Sequence, residues 1–129
     1  MDLIAVLVAG AAGFGFGAVW YGVLGARWRT ETGLSEDDVK PANSVPAFVI
    51  GVVANMVFAG MARHIFASSG VAGIAAGALS GLGLGLFVAG AFLAVNYAFA
   101  KRSLTLALID IGHAAGVGAT VGAVLTAMS

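Results

Sequence analysis

The chain has 129 residues, of which 60% are hydrophobic and only 9% charged; 20 are glycine, none is cysteine, and the formal net charge is zero. A soluble domain carries about 25% charged residues, so this composition, with a mean hydropathy of +1.04, belongs to a membrane protein. A disulfide scaffold, a basic nucleic-acid-binding face and a large water-facing catalytic domain are all excluded.

The charged residues cluster at Asp2, between Arg27 and Lys40, at Arg63, at Lys101 and Arg102, and at Asp110, leaving four apolar blocks between them. Each block is long enough to cross a bilayer, which predicts one all-α domain over 1–129, a bundle of four transmembrane helices. The first span is expected over 3–24, about 33 Å at 1.5 Å per residue. No basic residue precedes it and its apolar run exceeds that of a signal peptide, so it is expected to be retained. Trp20, Tyr21 and Trp28 bracket its end, as amphipathic rings do at headgroup level, and are expected to be interface anchors.

The polar loop 25–44 follows. Within it Ser35 is expected to cap one or two helical turns on the membrane surface, with Asp38 completing a capping box and Lys40-Pro41 closing the turns. A solvated loop is the alternative. The second span covers 45–66, with Pro46 in its first turn and Arg63 reaching back toward the headgroups. Ser68-Ser69-Gly70 reads as a tight turn. The third block, 71–100, would be about 45 Å long as one straight helix, too long to cross untilted. It must tilt, protrude or bend near Gly81-Leu82-Gly83-Leu84-Gly85. Lys101-Arg102-Ser103 ends it, and the fourth span covers 104–128.

Arg27, Arg29, Lys40, Lys101 and Arg102 fall after the first and third spans, and only Arg63 falls on the other side. That asymmetry predicts cytoplasmic loops there and both termini in the periplasm of a bacterial inner membrane. Ala18-Val19-Trp20-Tyr21 and Ala94-Val95-Asn96-Tyr97 form a faint repeat ahead of the two basic loops. Two parallel helical hairpins, or convergence of interface residues, would each produce it.

Glycines at intervals of four mark helix faces on which backbones can approach: Gly13 and Gly17, then Gly73, Gly77, Gly81 and Gly85, then Gly112 and Gly116, with Gly118 and Gly122 beyond. They are expected to be helix-packing positions, either inside one bundle or between copies. Asn55, Asn96, Asp110 and His113 are the polar residues within the spans, and their depths allow all four to meet in the cytoplasmic half. Asp110 lies about 9 Å into its span and needs a partner or a proton there; His113, at i+3 on the same face, is the expected partner. The cluster reads as a structural clamp, as a proton or cation path through Asp110, or as a ligand site using Asn55 and His113. No catalytic constellation, metal site or cofactor site is expected.

The run Trp20-Tyr21-Gly22-Val23-Leu24-Gly25-Ala26-Arg27-Trp28, then Thr32-Gly33-Leu34-Ser35-Glu36-Asp37-Asp38, and Ile109-Asp110-Ile111-Gly112-His113 in the last span resemble a bacterial integral-membrane family, the domain of unknown function numbered 1761. The likeness covers nearly the whole chain. It implies a four-helix membrane protein without an assigned activity, and an amide near position 110 where this chain has Asp110. The resemblance leaves function open; with no constellation of nucleophile, base and orienting group visible, the expected function is non-enzymatic, acting through helix packing as a homo-oligomer or an accessory subunit. The expected partners are the lipid bilayer and membrane-embedded chains, its own or others, and no nucleic acid. The alternative is a small proton, cation or small-solute transporter or channel using Asp110 and His113.

Overall fold

A computed structural model describes residues 2–129, and 84% of the chain is helical, with no strand among the described residues. Four helices carry the fold: α1 Leu3–Thr32, α2 Val45–Ser69, α3 Ile74–Phe99 and α4 Leu104–Ala127. Each is long and apolar enough to cross a membrane.

α1 starts on Asp2, whose carboxylate accepts from the Ile4 amide at 2.9 Å. It runs past the expected end at Leu24 because nothing in 25–32 breaks a helix and Arg27 pairs with Glu31 one turn on, at 3.6 Å. Gly33 stops it by taking the left-handed conformation (φ 77°), its amide donating to the Arg29 carbonyl at 2.9 Å. The capping box then forms in both directions: the Ser35 amide donates to Asp38 Oδ2 at 2.8 Å and the Asp38 amide to Ser35 Oγ at 3.1 Å. It closes a turn over 36–39, however, and not the expected surface helix. Pro41 follows too soon for a helix to nucleate, and a 3-10 turn over Pro41–Asn43 leads into α2.

α2 carries Pro46 in its first turn and continues through Ser68 and Ser69 to Gly70 (φ 71°), so those serines end the helix and the turn falls at 70–73. α3 accordingly begins at Ile74 and not at Val71. At 26 residues it is shorter than the expected block, and it contains a π-helical segment, Leu84–Ala89, in which the Gly90 amide reaches back to the Gly85 carbonyl five residues earlier. A π-bulge inserts one residue and rotates the remainder of the helix by about 100°. In an unbroken α-helix Gly85 and Tyr97 would stand about 120° apart; with the bulge they come within about 20°, on the face that meets α4.

That face is a backbone-to-backbone contact. A methyl group at Gly77 would strike the Gly122 carbonyl, one at Gly81 the Gly118 carbonyl and one at Gly85 the Ala114 carbonyl, and the clashes at Gly118 and Gly122 are reciprocal. Gly73 is not part of this stripe. It precedes α3 with φ 89° and has open space around it, because the helix starts one residue later than the four-residue spacing suggests.

α4 also packs along α1, where Gly116 lies under the Phe16 ring and Gly112 under Trp20. α2 packs mainly on α1, with Gly10 against Met56. The α1/α2 and α3/α4 hairpins are thus joined along α1 and α4. At the end away from the polar loop they enclose a core that includes Ala9, Ala59, Ala62, Phe66, Val121 and Leu125. Large apolar side chains of α2 and α3, among them Ile50, Val57, Leu79, Phe87 and Phe92, point outward, as lipid-facing residues do. These features make the chain an integral membrane protein.

Candidate functional site

At the polar-loop end the bundle interior is not apolar. Asp110 stands in the second turn of α4, only 8% exposed. Its Oδ1 accepts from the Tyr21 hydroxyl on α1, and its Oδ2 from the Tyr97 hydroxyl on α3. A carboxylate only accepts, so two phenol donors match its two oxygens. Both partners reach it through features of the backbone: α1 stays helical past Tyr21, and the π segment turns Tyr97 toward α4. Beside this clamp the Trp20 indole N–H donates to the Ile109 carbonyl at 2.9 Å. Ser103 caps α4 by accepting from the Leu106 amide at 3.1 Å and donates to Glu31, tying the end of α1 to the start of α4.

The expected partner of Asp110 is therefore corrected. His113 shares its face of α4, but the two phenols occupy both carboxylate oxygens. The His113 ring instead packs on Tyr21, with centroids 4.9 Å apart and planes tilted by 49°. It sits over Gly17, where a methyl group would approach Nε2 to 2.8 Å.

Asn55 reaches the same interior. Its Nδ2 donates to the Gly51 carbonyl at 2.8 Å, and its buried Oδ1 faces Gly13 without a hydrogen-bond partner. Asn96 does not join them. It is exposed, because it lies one residue, about 100°, around α3 from the inward-facing Tyr97.

The three anchor residues turn inward as well. Trp20 and Tyr21 bond to α4, and Trp28 stands edge-on to Tyr21 with centroids 6.1 Å apart. They lie on the α1 face that the bundle covers. Tyr97 is the member of this cluster that sequence reasoning passed over, although the Tyr21/Tyr97 repeat was its signal.

Between α1 and α2 a half-open cleft of about 480 Å³ runs from Arg29 and Ser44, beside the polar loop, inward to Asn55 and His113. Phe14, Tyr21, Trp28 and Phe48 line it. Asp110 is not among its walls; the Tyr21 ring closes the way to it. Among the described residues no three His, Cys, Asp or Glu side chains gather as metal ligands.

No curated protein and no solved structure matches the chain. Four apolar helices and motifs spread from the first span to the last agree with a match that extends over residues 4–126, and the chain belongs to the family described as Protein of unknown function (DUF1761).

Proposed function

We propose that this protein is non-enzymatic and works through helix packing, as a homo-oligomer or as an accessory subunit offering its outer helices to other membrane-embedded chains. The observation that carries this reading is the pairing of Asp110. Asp110, the one buried acidic residue among the described residues, has both oxygens occupied by phenols and lies between three helices. A group that loads and unloads a proton or cation needs a water-filled approach, whereas one that fixes helix register needs satisfied hydrogen bonds. The broad apolar faces of α2 and α3 supply surface for such contacts. The membrane is taken to be a bacterial inner membrane with both termini periplasmic, on the distribution of the basic residues.

Mass measurement in a mild detergent tests the packing role. The reading expects a defined oligomer or a stoichiometric complex with a second membrane protein. A chain that stays monomeric across a hundredfold concentration range, and that also leaves the native membrane alone, contradicts it.

The second reading, a small-solute transporter or channel using Asp110 and His113, draws on the cleft, which brings His113 within reach of the polar-loop side. It requires Tyr21 to move aside before Asp110 is reached.

A further inference from the structure

The α1/α2 cleft has at its mouth a cation that no acidic side chain pairs. The ion pairs among the described residues join Arg27 to Glu31 and Lys40 to Asp37, and Arg29 is in neither. The Arg29 side chain, half-buried, folds back over Gly25, where a methyl group would stand 3.6 Å from Nη1. Gly25 directly follows the apolar run that ends at Leu24, so the guanidinium stands at headgroup level. It carries five donors and no acceptor, in a planar fork that matches a phosphate. On the α2 wall Ser44 is half-buried too, and its hydroxyl makes no capping bond to the helix it precedes. No acidic side chain lines the cleft.

Inward from Arg29 the walls are mainly apolar. From Gly25 to Phe14 the cleft follows α1 for about 16 Å, and half the hydrocarbon core of a bilayer is about 15 Å. Ala18 and Gly25 on α1, and Ala47 and Gly51 on α2, line it without bulk, at spacings of seven and four that keep each pair on one helix face. The two helices close together where the Phe14 ring meets Gly51. A cation at headgroup level above an apolar groove one leaflet deep is complementary to an amphiphile of opposite charge, and basic pockets between transmembrane helices hold anionic headgroups in this way. The volume, about 480 Å³, lies within the range of small-molecule sites.

We infer that this cleft is a site for one anionic phospholipid from the leaflet on the polar-loop side, with its phosphate paired to Arg29 and one acyl chain lying between α1 and α2. The Ser44 hydroxyl donates to the same headgroup, and the second chain stays in the bilayer through the open side of the cleft. Binding depends neither on how the protein assembles nor on the pairing of Asp110.

Native mass spectrometry of the full chain, released from micelles holding equal amounts of dioleoylphosphatidylglycerol and dioleoylphosphatidylcholine, tests this. One phosphatidylglycerol is expected to be retained per chain, at least fivefold over phosphatidylcholine. Arg29→Gln is expected to abolish that preference. Arg27→Gln, which removes an exposed cation already paired with Glu31, is expected to leave it intact and so separates the site from general surface charge. Ala47→Phe keeps every charge but fills the cleft, and is expected to lower retention at least fivefold. Equal retention of the two lipids, equal effects of the two arginine variants, unchanged retention in Ala47→Phe, or displacement of phosphatidylglycerol by an equal amount of palmitate overturns the inference. The two lipids on the unaltered chain and the two arginine variants decide the matter even if Ala47→Phe does not fold.

Discussion

Two phenol hydroxyls on one carboxylate make Asp110 the residue on which three helices depend, and each contact can be removed singly. Tyr21→Phe or Tyr97→Phe leaves one oxygen unpaired in a dry setting and is expected to cost about 1–2 kcal/mol in thermal unfolding in detergent. The double variant is expected to fall short of the sum, because the two donors serve one acceptor group. Asp110→Asn keeps the size and one acceptor oxygen, and its NH2 can donate to the second phenol's oxygen, so it is expected to lie closer to wild type than Asp110→Leu, which strands both phenols and is expected to be the least stable. Equal stability of the Asn and Leu variants contradicts the clamp. Outside the spans, the Ser35 amide and hydroxyl hold the Asp38 carboxyl below its usual range. A lowered acid stabilises its turn above the ordinary Asp value and loses that contribution as pH falls through the lowered one. Ser35→Ala is therefore expected to raise the Asp38 midpoint in a carboxyl 13C titration, and no change would remove the capping box from the account. At this scale the sequence showed that Asp110 needed a partner but directed attention to His113. Spacing along one helix identifies neighbours on its own face, while Tyr21 and Tyr97 arrive from other helices. Asn96 was expected in the cluster on its depth, and a single residue of helical rotation from Tyr97 sends it outward.

The α3–α4 contact is built from backbone, and that makes its glycines unequal. Gly81→Ala places a methyl group on the Gly118 carbonyl, which cannot move aside as a side chain can. It is expected to destabilise by about 2 kcal/mol or more. Gly83→Ala, two residues away with a right-handed helical backbone (φ −60°) and almost open surroundings, is expected to be neutral or to gain up to about 1 kcal/mol. If the two variants melt together, the close approach is not real. The π segment makes a separate prediction. Deleting the exposed Val88 restores a plain α-helix and swings Tyr97 about 100° from Asp110. The deletion is expected to destabilise, and Tyr97→Phe added to it is expected to cost nothing further. The intervals of four were visible in the sequence because helical periodicity is local. The bulge could not be read there, since its use, aiming Tyr97, depends on where α4 lies. Gly73 fell outside the stripe because spacing cannot tell the residue before a helix from the first one in it.

For the molecule as a whole, four spans and a single polar loop could be read directly, because crossing hydrocarbon demands long uncharged runs whatever the tertiary packing. The order of packing, with α4 between α1 and α3 and α2 resting mainly on α1, could not, since apolar helices in lipid carry little sign of which neighbour they prefer. The cleft was equally hidden: Phe14, Phe48 and Trp28 are ordinary span residues until α1 and α2 face each other with Asn55 between them. Reporter fusions at Ser129 test the proposed orientation; a signal from a cytoplasm-only reporter reverses it. The central claim, that Asp110 is a structural clamp and not a carrier, is tested most directly by proton and cation flux into proteoliposomes holding equal amounts of folded wild type and Asp110→Asn. The account predicts that both match protein-free vesicles. Flux through the wild type that disappears in Asp110→Asn contradicts it.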